Sequence, residues 1–105
     1  GLWAQWRLEE TGGEQRAPGE FVLLSCRGSG FKDENHVIWW YRQAPGGSPD
    51  WVSIDSSDSS RDKYGPAIES RALMFRDKSR SEAHLSLRAL QPRDSARYFC
   101  AALTA

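Results

Sequence analysis

The chain has no excess of either charge: 14 lysines and arginines face 14 aspartates and glutamates over 105 residues. That balance excludes the basic footprint of a nucleic-acid binder and the patch that draws a protein to an anionic membrane, so any recognition has to be local. Cysteine is scarce, with two residues and no Cys-x-x-Cys pair, which argues against zinc or thiol redox chemistry. The only histidines, His36 and His84, lie far apart and offer a metal little to hold. Nor is there a stretch approaching the roughly 20 apolar residues of a membrane span, so no direct membrane contact is expected from this segment. A Ser-His-acid set can be written on paper, but there is no Gly-x-Ser-x-Gly elbow, His-Glu-x-x-His or phosphate loop. The run Gly28-Ser29-Gly30 is too short for a dinucleotide fingerprint. The expectation is therefore a non-enzyme, with no catalytic residue, no metal ligand and no cofactor.

What the chain does have is short runs of period-2 alternation separated by turn residues, the pattern of an all-β domain, in a length suited to one core. Ala17-Pro18-Gly19 reads as a turn, and the strand after it places Val22, Leu24 and Cys26 on one face. Val37 to Gln43 reads as a strand around Trp40; residues 44–49 turn the chain, and Asp50 to Ile54 returns. Two further strands are expected at 71–75 and 83–87, joined by a charged turn from Arg76 to Glu82, with Ala72 and Met74, then Ala83, Leu85 and Leu87, facing inward. His84 falls at an outward position and reads as a solvated neighbour. Residues 90–94 form a corner, after which Ala96, Tyr98 and Cys100 point inward. No internal repeat or long linker is present.

The most specific feature is a constellation: Cys26, then Trp40, then Asp94-Ser95-Ala96-Arg97-Tyr98-Phe99-Cys100, with a tyrosine two residues before the second cysteine. Cys, Trp, Tyr and Cys in this order and spacing resemble the core of an immunoglobulin sandwich. Around them lie Glu10-Thr11-Gly12-Gly13, Trp40-Tyr41-Arg42-Gln43-Ala44-Pro45-Gly46 and Trp51-Val52-Ser53. With these, nearly the whole chain resembles a V-set domain of heavy-chain-variable type. Gly1-Leu2-Trp3-Ala4 precedes the first family-like residue and is set aside. The resemblance implies an immunoglobulin V-type two-sheet Greek-key sandwich spanning residues 1–105, with one inter-sheet disulfide joining Cys26 and Cys100. Closing a loop of that length would stabilise by about 4 to 5 kcal/mol in the chain-entropy model. A disulfide also implies an extracellular setting, as a cell-surface ectodomain or a secreted protein. Tyr98 is expected to bond backbone near 90–94, and Arg71 and Asp94 to pair across the bottom of the sandwich; both roles are structural.

In such domains the loops at one end do the binding. Residues 30–36 (GFKDENH) and 55–63 (DSSDSSRDK) match the first two hypervariable loops in position. The contact candidates are Lys32, Asp33, Asn35 and His36 from the first, and Asp55, Ser57, Asp58 and Arg61 from the second. Ser, Asp and Asn provide adaptable hydrogen bonding, although both loops lack the tyrosines that usually anchor a paratope, and a Ser/Asp-rich turn can equally be a solvated turn. Aspartates 55, 58 and 62 against Arg61 and Lys63 make a mixed local field. After Cys100 only five residues remain, without the third loop and the final strand's Phe/Trp-Gly-x-Gly turn. Three explanations fit: only the ordered part of a longer chain is represented, the chain stops with a germline V segment, or a partner supplies the last strand, as for the surrogate light-chain V component. Cys100-Ala101-Ala102 looks like the opening of a rearranged third loop and favours the first.

A second V domain, light-chain-like or from a T-cell receptor, would meet Tyr41, Gln43, Pro49, Trp51 and Phe99, with Ser48 beside them and Trp39 toward the same side. Single-domain heavy chains also carry an aromatic at the Tyr41 position but add charge where Ser48 and Pro49 stand, and a proline at this turn is common in V domains that pair. The balance leans toward pairing. On the opposite sheet Phe21, Leu23, Leu73 and Phe75 face outward, where heavy chains are polar. They are a candidate for a further interface, with a neighbouring receptor domain or a second copy, unless His84 and Ser86 divide them into two small patches. The segment 90–100 (LQPRDSARYFC) reads more like a T-cell-receptor α or δ segment than an antibody. The resemblance therefore points to the antigen-recognising domain of a T-cell-receptor chain with a heavy-chain-like V segment, of δ or μ type. Its partner would be a protein antigen or an antigen-presenting molecule. An antibody heavy chain is the runner-up, and a non-rearranging V-set surface receptor is the alternative from another class.

Overall fold

The structure, a computed structural model, describes residues 18–28, 36–56 and 62–104. Seven strands follow one another: β1 (Val22–Arg27), β2 (His36–Gln43), β3 (Pro49–Asp55), β4 (Lys63–Tyr64), β5 (Ala72–Asp77), β6 (Glu82–Leu87) and β7 (Arg97–Thr104). They form two antiparallel sheets, one of order β1-β6-β5 and one of order β4-β3-β2-β7. Alternation decides which side chains lie between them. Leu24 and Cys26 from β1, Met74 from β5 and Ala83, Leu85 and Leu87 from β6 meet Ile38 and Trp40 from β2 and Cys100 and Ala102 from β7, all buried. Cys26 and Cys100 are disulfide-bonded across this core, with Cα atoms 6.5 Å apart.

Two devices close the sandwich that alternation does not reveal. Tyr64, on the two-residue β4, belongs to the four-stranded sheet, yet its hydroxyl accepts the Met74 N–H of β5 at 3.0 Å, tying the sheets together along one side. Gly65 follows because its N–H donates to the Val52 carbonyl at 2.7 Å, an approach so close that a Cβ would lie 2.8 Å from that oxygen. The turn after it carries Ile68 into the core at 1 % exposure. Ile68 escapes a strand-based reading because it sits in no strand.

At the end where β7 begins, the expected structural pairs form. Arg71 grips Asp94 with both terminal nitrogens, at 2.8 and 3.0 Å, and also donates to the carbonyls of Ala67, Arg88 and Ala89. The Tyr98 hydroxyl donates to the Asp94 carbonyl at 2.8 Å, the corner bond expected from its place before Cys100. Asp94 also accepts the Gln91 N–H at 2.8 Å, capping the 3-10 turn Pro92–Asp94. Burial alone would raise the Asp94 pKa. The Arg71 hydrogen bonds, the Gln91 N–H and the charges of Arg71 and Arg42 outweigh it and hold the carboxyl below its ordinary value.

Two expectations need correction. Arg76 belongs to β5 and not to the connecting turn, which is only the 3-10 turn Lys78–Arg80 and its flanks. His84 is outward but not solvated: it stacks on Phe75 with ring centroids 4.7 Å apart, and its Nδ1 is hydrogen-bonded to Ser25 Oγ at 2.7 Å. Register supplies the reason, because Ser25, His84 and Phe75 stand side by side across the three strands.

Candidate binding end and pairing face

β2 starts at His36 and β3 ends at Asp55, so both expected loops spring from one end of the sandwich. Between these two strand ends lies Arg76, reached by continuing the inward phase of Ala72 and Met74 by one more step along β5. Its Nη2 donates to the His36 carbonyl and to the Asp55 carbonyl, each at 2.8 Å, and its Nε donates to Asp55 Oδ2 at 3.3 Å. One side chain from the three-stranded sheet thus ties the base of the first loop to the base of the second. Sequence reading missed it because a charged residue at a strand end looks like a turn residue. The recoverable signal was the unbroken alternation Ala72, Met74, Arg76.

This arrangement removes Asp55 from the contact candidates. Its residue is 5 % exposed and its carboxylate is spent on Arg76, so it supports the second loop from beneath instead of facing outward. Beyond it, Asp62 folds back: its Oδ1 accepts the Ser56 N–H at 3.0 Å and lies 3.5 Å from the Ser56 hydroxyl, closing the loop at its neck. Burial is the main cause that lifts the pKa of both carboxyls; Arg76 opposes the rise at each, and the Asp55 charge adds to it at Asp62. His36 is half-buried at the start of β2. Lys32, Asp33, Asn35, Ser57, Asp58 and Arg61 lie outside the described residues.

The candidates for a pairing face share one surface of the four-stranded sheet. Tyr41 stands opposite Phe99 on β7 and Trp51 on β3. Trp39, Tyr41 and Phe99 stack in sequence, with centroids 6.2 and 5.7 Å apart, and the Arg97 guanidinium lies 6.0 Å over Phe99. Trp51 owes its place to a bulge: the β2–β3 register shifts between Trp40 and Tyr41, so Val52 and Ser53 are both buried and Trp51 returns to the outer surface at 37 % exposure. Pro49 is exposed at the start of β3. Gln43 is committed locally, its Nε2 donating to the Gly47 carbonyl at 2.8 Å within the turn that Gly46 makes at φ 76°. That turn and residues 95–97 border an open cavity of about 600 Å³.

On the other sheet Phe21, Leu23, Leu73 and Phe75 are all exposed. Leu23 and Leu73 are separated by Ser86 on β6, and Phe75 is separated from Ser25 by the stacked His84.

Two antiparallel sheets, a cross-sheet disulfide beside a buried tryptophan and a tyrosine corner coincide with a match to the Immunoglobulin V-set domain family over residues 14–105. The chain belongs to the immunoglobulin V-set family. V-set domains are generally binding domains and not enzymes, and a disulfide-bonded V-set domain fits an extracellular or secreted setting. No helix among the described residues is long and apolar enough to cross a membrane, and no group of three or more His, Cys, Asp or Glu among them is placed to hold a metal ion.

Proposed function

We propose that this V-set domain is the antigen-recognising variable domain of an adaptive immune receptor, a T-cell-receptor chain with a heavy-chain-like V segment. The reading is supported above all by Arg76, which binds the strand ends of both expected loops into one rigid base. Loops carried on a braced end of a sandwich suit recognition by shape and hydrogen bonding, since less ordering entropy is lost on binding. The contact set becomes Lys32, Asp33, Asn35 and His36 with Ser57, Asp58 and Arg61, toward a protein antigen or an antigen-presenting molecule. The surface of Tyr41, Pro49, Trp51 and Phe99 is where a second V domain would pack. An antibody heavy chain is the second reading, favoured by the Trp40 to Gly46 segment.

The test is the intact receptor ectodomain, weighed by light scattering coupled to mass spectrometry with and without candidate V-domain partners. A heterodimer that Trp51→Ser and Phe99→Ser dissociate is the expected outcome. A monomer that binds antigen alone would overturn pairing, and binding that survives alanine at all seven contact positions would overturn recognition through these loops. The constant region of the intact chain separates T-cell receptor from antibody.

A further inference from the structure

The bulge that returns Trp51 to the outer surface also buries a polar pair. The β2–β3 register shifts between Trp40 and Tyr41, and Val52 and Ser53 of β3 are buried together. Ser53 stands directly opposite Trp40, and the two are 0 % and 1 % exposed. Among the described residues neither Ser53 Oγ nor Trp40 Nε1 has a hydrogen-bond partner, and the two do not bond each other. Their other cross-strand neighbours do not supply one. Tyr64, opposite Ser53 on β4, gives its hydroxyl to the Met74 N–H of the other sheet, and Cys100, opposite Trp40 on β7, is held in the disulfide. An indole N–H can only donate, whereas a serine hydroxyl both donates and accepts. Leaving both dry and unbonded forfeits the hydrogen bonds that each makes to solvent in the unfolded chain, and buried polar groups are accordingly bonded to protein or to ordered water.

We propose that Trp40 and Ser53 together bind one internal water molecule at the β2–β3 bulge. The water accepts the Trp40 Nε1 proton and donates to Ser53 Oγ, linking the two strands where the bulge interrupts their ladder. The class of ligand follows from the groups that meet it. One donor and one hydroxyl, both without charge, suit a small neutral molecule that donates and accepts, and give an ion nothing to pair with. The bound water holds Ser53 inward, and with it the two-residue step on β3 that brings Trp51 out beside Tyr41. The bulge is thus fixed from inside by a ligand as well as by the packing of Val52. That this steadies pairing rests on the reading of Tyr41, Trp51 and Phe99 as a pairing face; the water site itself does not.

The experiment is a crystal structure of the full chain, disulfide intact and no partner present, at a resolution that shows ordered water, for the wild type and for Ser53→Ala. The indole N–H signals of Trp40 and Trp51 are followed in both by NMR. The expected result is a water within about 3.2 Å of both Trp40 Nε1 and Ser53 Oγ in the wild type. In Ser53→Ala that water is gone and both indole signals move. A wild-type structure without the water, or with Ser53 Oγ bonded directly to Trp40 Nε1, would overturn the site, and this arm decides even if the variant folds poorly. A Trp51 signal that stays put in a folded Ser53→Ala, while the Trp40 signal moves, would overturn the link to the bulge. Because no partner is present, a failed water site stays distinct from a failed assignment of the pairing face.

Discussion

At one end of the sandwich Arg71 meets Asp94 with both terminal nitrogens; at the other, Arg76 meets Asp55 through Nε and gives its Nη2 to two backbone carbonyls. The residue types are the same and both carboxylates are buried, yet Asp94 is held below its ordinary pKa and Asp55 above it. The difference lies in the remaining neighbours. Asp94 adds a backbone N–H from Gln91 and a second cation, with Arg42 Nη1 at 3.5 Å, whereas at Asp55 burial outweighs the charge and hydrogen bond of Arg76. Burial raises the pKa at either end, and at Asp94 the larger set of donors outweighs it. A donor-rich cluster is a fixed strut, whereas at Asp55 the contact with Arg76 does not offset burial.

The strongest way to break the comparison is at the strut. Asp94→Ala should lower the unfolding free energy by roughly 3 kcal/mol, because it removes the carboxylate that faces the half-buried Arg71 and uncaps a 3-10 turn; chemical denaturation measures it. Arg76→Met should cost less, about 2 kcal/mol, since Asp55 can accept a proton when its cation is lost. The same variant should broaden the NMR signals at the bases of both loops, which Asp94→Ala should not.

Acid separates the two ends by sign. Asp94, with its folded pKa below the ordinary 3.8, contributes stability that is present above that value and lost as pH falls through its folded pKa. Asp55 and Asp62, raised from 3.8, contribute stability that is complete below that value and lost as pH rises through their folded pKa. Denaturation midpoints followed across pH should thus fall on both sides of the ordinary aspartate range. Asp94→Asn should flatten the acid limb and Asp55→Asn the other; a variant that flattened the opposite limb would refute the assignment. The smallest change is Tyr98→Phe, which removes the bond to the Asp94 carbonyl and should cost about 1 kcal/mol without altering either limb.

Most of the fold was legible beforehand. Alternation placed Leu24, Cys26, Met74, Leu85 and Leu87 inward, and a tyrosine two residues before a cysteine announced the corner bond. The candidate binding end was legible only in outline. Alternation was followed to Phe75 and abandoned at Arg76, because an arginine is normally a surface residue; it turns inward here toward acceptors that β2 and β3 bring to it. Asp55 was misplaced for the matching reason. Trp51 was placed on the correct surface without knowledge of the bulge that puts it there. Ile68 has no periodic neighbours to reveal it.

From the order of residues alone came the sandwich, its disulfide and the sheet face on which Tyr41, Trp51 and Phe99 meet. These follow from the resemblance to a V-set domain that a few residue types at long-range spacings carry, and from side-chain alternation along the core strands. Only the tertiary structure decided that Arg76 joins the strand ends at the two loops, that Asp55 is spent on Arg76 and that Asp62 folds back on Ser56. The state of a charged group depends on which donors and acceptors reach it from distant parts of the chain, and nothing in its own stretch of sequence records that.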